Sequence, residues 1–459
     1  MINVLSLSPL YQHVMSFLSS SDRVLPASDL QKYLNNFLLK REIFLSSAAR
    51  FGTPQYLFDE PSLERNIIRF KDAFSRYLKK YRIFYAMKSN SFPGILKRVV
   101  PEGLGIDVSS GLELSRALAV GCKEIVFSGP GKRDEEIRMA IDNREKVTLL
   151  MDSFGELDRT IGILKDHIMG DVPLKAGVRL QHHKGWTKFG IHPEELTNFF
   201  KKGSRVKGLE LRGIQFHTSW NLTPDAQIEM IKRIGTHLRK DMPSRLSTSL
   251  EFLDIGGGFW PEQGEWLNPE NSPRGRIREI LMPSGRQGRR HYYRKGNGIV
   301  FFARQIARAI SEQGHPIGNL EIWMEPGRWI SNPSMHILLE VVDKKGHGTA
   351  ITDGGTNLLG WERPLTEFIP VVNLTNCSLE ERPIRVFGSL CTPQDVWGQS
   401  VFGGDPKNGD ILLIPDQGAY TYSLRQTFIK PVARVVRYDG KEIKEVKGEE
   451  GWTEDLSQE

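Results

Sequence analysis

Short apolar runs and stretches with helix-spaced apolar positions alternate through the middle of the chain. Phe84-Tyr85-Ala86-Met87 leads straight into Lys88-Ser89-Asn90, and further apolar runs cover 105–108, 124–128, 147–152, 174–180, 211–216, 252–255 and 322–325. The stretches between them, such as 111–120, 134–142 and 153–166, carry apolar residues at helical spacing. Strands apolar throughout, separated by helices, predict a parallel sheet covered on both faces. Eight such units predict a closed (β/α)8 barrel. An open doubly wound sheet is the alternative, but no Gly-x-Gly-x-x-Gly turn follows a first strand.

The two ends of the chain read differently. Residues 26–39 show helical spacing, 52–59 read as a short strand after a turn, and Pro61 opens a helix that runs to about residue 79. Beyond Asn332 the stretches 336–342, 383–387, 410–415 and 432–438 are short, β-rich and separated by Gly, Pro, Asp and Asn. This texture predicts a second domain of antiparallel sheet. The expected organisation is a barrel over 61–332 and a β domain over 333–459, to which residues 1–60 contribute, bringing the termini together. Residues 448–459 are polar and expected to be mobile.

One segment fits neither pattern. Residues 261–297 lie between two barrel units and carry Arg274, Arg276, Arg278, Arg286, Arg289, Arg290 and Arg294. Loops of this length in a compact domain are functional or disordered. Two readings stay open: a solvated excursion, or a basic lid over an anionic substrate or partner.

Composition narrows the function classes. At 459 residues with 39% hydrophobic and 25% charged content, the chain is long enough for two globular domains. A net charge of +7 without a nucleic-acid-binding motif argues against such a binder and suits an anionic substrate or cofactor. Cys122, Cys377 and Cys391 form neither a disulfide framework nor a zinc motif, so no metal site is expected and a reducing compartment is. No basic signal-like start and no membrane-length apolar run is seen, which predicts a cytoplasmic protein away from membranes.

The polar motifs fall where barrel chemistry sits, at the carboxyl ends of strands. Lys88, Asp107, His217, Gly256-Gly257-Gly258 and Glu325-Pro326-Gly327-Arg328 each occupy such an end. A lysine held at the end of a buried strand suits imine chemistry with an aldehyde, or merely snorkels out of it. Three glycines let backbone N–H groups approach a phosphate, or form an ordinary turn. Arg328 could clamp the same phosphate. Glu325 could protonate a pyridine nitrogen, or pair locally with Arg328. His217 could stack on a flat ring, or serve as a hydrogen-bonded core histidine. Taken together these groups describe a site for pyridoxal 5'-phosphate.

The motifs Tyr85-Ala86-Met87-Lys88-Ser89-Asn90, Asp107-Val108-Ser109-Ser110-Gly111-Leu112-Glu113, Asp254-Ile255-Gly256-Gly257-Gly258-Phe259, Glu325-Pro326-Gly327-Arg328 and Gly418-Ala419-Tyr420 resemble those of the alanine-racemase-fold decarboxylases. Asp353-Gly354-Gly355-Thr356-Asn357, followed by Arg363-Pro364, is similar to a segment of the diaminopimelate decarboxylases. The resemblance runs in order from about Thr53 to Arg434. It implies that Lys88 carries the cofactor, Glu325 pairs with its ring nitrogen and His217 stacks on the ring. Asp107 is implied at the cofactor, and Gly256, Gly257, Gly258, Arg328 and Tyr420 around its phosphate. Cys391 is implied to enter a partner subunit's site and protonate the carbanion left by carbon dioxide. Asp395, Arg363 and Thr392 are implied on the substrate side, and a homodimer with shared sites follows.

Glu325 with Cys391 favours decarboxylation over racemisation, because racemases of this fold place an arginine near the ring nitrogen. Departures also matter. Diaminopimelate decarboxylases usually carry glutamate where Thr392 stands, and glycine-serine where Ser219-Trp220 stands. The arginine-rich segment has no obvious family counterpart. The resemblance therefore implies an amino-acid decarboxylase with a specialised substrate, acylated, carboxylate-bearing or carrier-bound, as in siderophore assembly. Diaminopimelate decarboxylation is the alternative, and a catalytically silent binding relative is the alternative from another class.

Overall fold

The computed structural model describes residues 22–166, 172–182, 188–281, 290–346, 348–360 and 367–449. They divide into two compact units. One comprises Leu63–Glu262 and Asn297–Ser331; the other comprises Gln263–Gly296, Asn332–Glu459 and the chain's start to Ser62.

The first unit is a closed parallel barrel. Its strands are β1 (Tyr81–Ala86), β2 (Gly105–Val108), β3 (Ile125–Phe127), β4 (Val147–Met151), β5 (Leu174–Leu180), β6 (Leu209–Phe216), β7 (Phe252–Asp254) and β8 (Glu321–Met324). Each pairs in parallel with the next, and β8 closes the ring by pairing with both β1 and β7. The helices between them are α1 (Pro93–Val99), α2 (Gly111–Ala119), α3 (Asp134–Asp142), α4 (Phe154–Asp166), α5 (Leu196–Gly203), α6 (Asp225–Lys240) and α7 (Ile299–Gln313). Strands flanked on both faces are largely apolar, and β2, β3, β4 and β7 are buried at every residue, including Asp107 and Asp254 near their carboxyl ends.

Residue size fills the barrel interior. Phe84, Val126, Leu150, Phe252 and Trp323 form one buried cluster from five strands, with Phe252 stacked on Trp323 at 3.6 Å. Room for these rings comes from small residues on neighbouring strands. A Cβ on Gly213 would fall 2.1 Å from the Phe252 ring, and one on Gly105 would fall 2.4 Å from Phe84. Large and small side chains thus interlock, which is how small barrels reach interior packing density.

The second unit is built around the long strand Met335–Lys345, which pairs antiparallel with Gln55–Asp59, Ile411–Ile414 and Thr349–Thr352. The sheet is mixed rather than purely antiparallel. Gln55–Asp59 runs parallel to Arg434–Tyr438, Thr349–Thr352 to Arg385–Phe387, and Val371–Asn373 to Val401–Phe402. Parallel partners need long connections, and here whole segments of chain, including the barrel, lie between them.

The described parts of the arginine-rich segment form regular structure. Glu265–Leu267 and Tyr292–Arg294 pair with each other and with Arg23–Val24 in a small antiparallel sheet, beside a helix over Pro273–Leu281. Its arginines are divided. Arg294 donates to the buried carboxylate of Asp22 at 2.7 Å and to Glu265 at 2.9 Å, and Arg274 donates to the Asp22 carbonyl at 3.0 Å. These two hold the segment to Asp22, while Arg276 and Arg290 are exposed. Arg286, Arg289 and the Arg278 side chain lie outside the described residues.

Candidate active site

The carboxyl ends of β1, β2, β6, β7 and β8 carry one connected set of polar groups. After β1 the chain turns through Met87–Ser89, which places Lys88 just past the strand. Ser89 Oγ returns a hydrogen bond to the Ala86 carbonyl at 2.8 Å, and a Cβ on Gly327 would fall 2.8 Å from Ser89 Cβ. Glycine at 327 therefore lets the turn after β8 lie directly against the lysine turn. Lys88 Nζ donates to Asp107 Oδ2 at 2.9 Å; the lysine side chain is 35% exposed and the carboxylate fully buried. Lys88 is thus a paired amine at an opening, not a solvated strand end.

Asp107, in β2, also accepts from Ser128 Oγ at 2.6 Å. Burial, and then the nearby charge of Glu325, push its carboxyl up to about 7, against the opposing pull of Lys88 and Ser128. A carboxyl raised by folding contributes stability that is complete below the ordinary carboxylate range and is lost as pH rises through about 7. The cofactor-free protein is therefore expected to melt at lower temperature as pH rises through that value. Asp107→Asn should flatten the dependence. Equal slopes in the two proteins would exclude Asp107 as its source.

Glu325, just past β8, is fully buried. Gln215 Nε2 donates to its Oε1 at 2.6 Å, and His217 Nδ1 lies 3.3 Å from its Oε2. Burial alone would raise this carboxyl, but the His217 hydrogen bond and the Lys88 charge outweigh it and bring it down to about 2. Burial holds His217 neutral, below its usual range, although its bond to Glu325 opposes that shift. The Gly257 N–H lies 3.2 Å from the same Nδ1 and can pair with it only in the other tautomer. An ionised carboxylate facing Nδ1 favours the tautomer that donates to it.

The glycine turn follows β7 and is locked to the loop after β6. Gly258 has φ +79°, and a Cβ there would meet the Thr218 carbonyl oxygen at 2.0 Å, so only glycine fits. Asn221 N donates to the Gly258 carbonyl at 2.8 Å, and Trp220 beside it is 71% exposed with φ 55°. Arg328 lies with its guanidinium carbon 4.5 Å from the Trp260 ring centroid. Glu325 is thus engaged by Gln215 and His217, while Arg328 lies against an aromatic face.

The remaining sequence candidates belong to the sheet unit. Cys391 is exposed, and the hydroxyl of Thr392 bonds Gln394 within the same loop. Tyr420 adopts φ 55°. Asp395, expected on the substrate side, lies in the same loop as Cys391. It is 1% exposed, and its oxygens accept from Thr356 N at 2.7 Å, Thr356 Oγ1 at 3.0 Å and Leu390 N at 2.7 Å. A carboxylate so occupied fastens the loop of Cys391 to the Asp353–Asn357 turn. Arg363 lies outside the described residues. Three participants were not singled out in the sequence: Ser128, Gln215 and Asp254. Gln215 stands two residues before His217 and so faces the same way along the strand. Asp254 opens the glycine motif.

Among the described residues no helix is long and apolar enough to cross a membrane, and no cluster of His, Cys, Asp and Glu could hold a metal ion. Comparison with known proteins agrees with the geometry. A diaminopimelate decarboxylase of Methanothermobacter thermautotrophicus is 24% identical over 408 residues, covering 83% of this chain and 85% of its own. A Staphylococcus aureus protein named 2-[(L-alanin-3-ylcarbamoyl)methyl]-2-hydroxybutanedioate decarboxylase is 26% identical, covering 80% of this chain and 89% of its own. The crystal structure of a Helicobacter pylori diaminopimelate decarboxylase variant complexed with L-lysine superposes with a TM-score of 0.71 at 24% identity, covering 89% of this chain and 98% of that one. It shows the shared fold. Residues 61–332 match the family model described as the pyridoxal-binding domain of pyridoxal-dependent decarboxylases, so the chain belongs to that family: it is a carboxy-lyase that uses pyridoxal phosphate.

Proposed function

We propose that this decarboxylase removes the α-carboxylate of a diamino or related amino acid whose distal end is acylated, carboxylate-bearing or attached to a carrier, in a biosynthetic pathway such as siderophore assembly. Thr392 carries this reading. A threonine carries no charge, so the position where diaminopimelate decarboxylases usually carry glutamate offers none to a distal ammonium, and its hydroxyl is engaged by Gln394. The Staphylococcus aureus relative, by its name, acts on an alanine unit joined through a carbamoyl group to a hydroxybutanedioate.

The residues present fit the cofactor. They include an amine beside a buried carboxylate, a second carboxylate kept ionised by donors, and a turn that admits only glycine at 258. Bound pyridoxal phosphate supplies an electron sink for the pair of electrons left when carbon dioxide departs. Lys88 is the amine that would hold its aldehyde, with Asp107 orienting that amine. Glu325 would keep a proton on the ring nitrogen, and His217 would pack on the ring. The glycine turn over 256–258 and Arg328 would hold the phosphate. Cys391, exposed on its loop, would deliver a proton to the reacting carbon of a second copy's site, which makes the working unit a two-fold dimer.

Carbon dioxide release should be measured from meso-diaminopimelate, lysine, ornithine and 2,3-diaminopropionate acylated with a carboxylate-bearing group. The acylated substrate is expected to have kcat/KM higher by on the order of 10-fold or more. Preference for meso-diaminopimelate would replace this reading with the lysine-biosynthesis reaction.

A further inference from the structure

We infer that Asp254 is a proton-bearing positioning residue: as a neutral carboxylic acid it donates a hydrogen bond to Glu325 and so helps keep that carboxylate ionised. Asp254 is the last residue of β7, aligned with Gln215 of β6 on one side and Trp323 of β8 on the other. Its side chain is entirely buried. Oδ1 accepts from Gly256 N at 2.8 Å. Oδ2 is buried with no hydrogen-bond partner among the described residues, and the charge that bears most strongly on Asp254 is that of another buried carboxyl, Glu325.

A buried carboxylate oxygen without a donor, facing the charge of a second buried carboxyl, is tolerated in a dry interior only when one of the two groups carries a proton. The hydrogen bonds decide which one. Glu325 already has the Gln215 amide at 2.6 Å and the His217 ring at 3.3 Å, both of which stabilise its charge. Asp254 has a single backbone amide. The proton therefore stays on Asp254. The charged groups around it act the same way: burial, then Glu325, and more weakly Asp107, push Asp254 well above its ordinary range. Lys88 and His217 act mainly on Glu325, where they favour the ionised form.

The consequence is a direct link between two parts of the site. One Asp254 oxygen accepts from the first glycine of the turn while the other donates to the carboxylate after β8. Its importance for catalysis rests on the reading of Glu325 as the partner of the ring nitrogen; its protonation does not.

The test is infrared difference spectroscopy on cofactor-free protein, which reads a protonated carboxyl directly. At a pH above the value of about 7 for Asp107, wild type should retain a protonated-carboxyl carbonyl band, and Asp254→Asn should lack it. No band in wild type, or a band that persists in D254N, overturns the proposal. If D254N does not fold, Asp107→Asn decides. The band must survive in D107N above that pH, and its loss there assigns the proton to Asp107 instead. In the holoenzyme, D254A should weaken cofactor retention at least about 10-fold, as expected when a buried hydrogen bond to a charged group is removed. D254N should restore most of it, because an amide can still donate to Glu325 and accept from Gly256. Equal loss in both variants would show that the proton is irrelevant. If the carboxyl band behaves as stated but cofactor retention does not change, the role of Glu325 falls and the protonation of Asp254 stands.

Discussion

Replacing Lys88 by Ala is expected to lower decarboxylation by on the order of 10⁴-fold, since on the proposed reading it removes the amine that would hold the cofactor's aldehyde. The fold should persist. The Lys88 side chain is 35% exposed, and Asp107 keeps its Ser128 hydrogen bond at 2.6 Å. A carboxyl already raised to about 7 can take up a proton once its cation is gone, so no buried charge is stranded. Three measurements check this: carbon dioxide release, the absorption band of bound cofactor, and the residue labelled after borohydride reduction. A label on Lys132, the fully buried lysine of the barrel, would redirect the assignment, and so would a K88A variant retaining a tenth of the wild-type rate.

The largest stability effect is expected at Lys132, which no step of the proposed chemistry uses. Its ammonium is 1% exposed and donates to the Gly129 carbonyl at 2.6 Å, the Leu150 carbonyl at 2.9 Å and Glu156 Oε1 at 2.9 Å. Glu156, 2% exposed, also accepts from Asp152 N at 3.2 Å. The pair ties the turn after β3 to the start of α4 in the described barrel. Lys132→Met leaves a buried carboxylate without its cation, which costs about 3–5 kcal/mol. Adding Glu156→Leu removes the stranded charge, and the double variant should regain most of that loss, because apolar replacement of a whole buried pair is often near neutral. Denaturant unfolding of both single variants and the double variant gives the coupling energy directly. A single-variant cost below about 1 kcal/mol would show that water reaches Glu156.

The two lysines show how far residue pattern alone reaches. Both follow an apolar strand, and both stand in motifs rich in small residues. Sequence places Lys88 just past its strand and Lys132 five residues past its own, but it does not show that the Lys88 amine meets Asp107 while the Lys132 amine is enclosed by three acceptors. That difference depends on side-chain direction and on residues distant along the chain. The same holds for the carboxylates. Asp107, Asp254 and Glu325 all end strands, yet one is raised to about 7, one is held well above its ordinary range and one is brought down to about 2. Each outcome follows from which donors the neighbouring strands supply. Asp395, from sequence a ligand-facing acid, has its oxygens taken by Thr356 and Leu390.

By itself the sequence determined the alternation of buried strands and helices, and with it the closed barrel, because strands covered on both faces are largely apolar. It also determined that the chemistry-bearing residues stand at strand ends and that a β-rich region follows. Tertiary structure alone decided that the sheet of that region is mixed, and that Asp22 anchors Arg274 and Arg294 of the arginine-rich segment. It also decided which donors each buried carboxyl meets. These depend on contacts between residues far apart in sequence, and in a dry interior one hydrogen bond more or less moves a charge by whole pKa units.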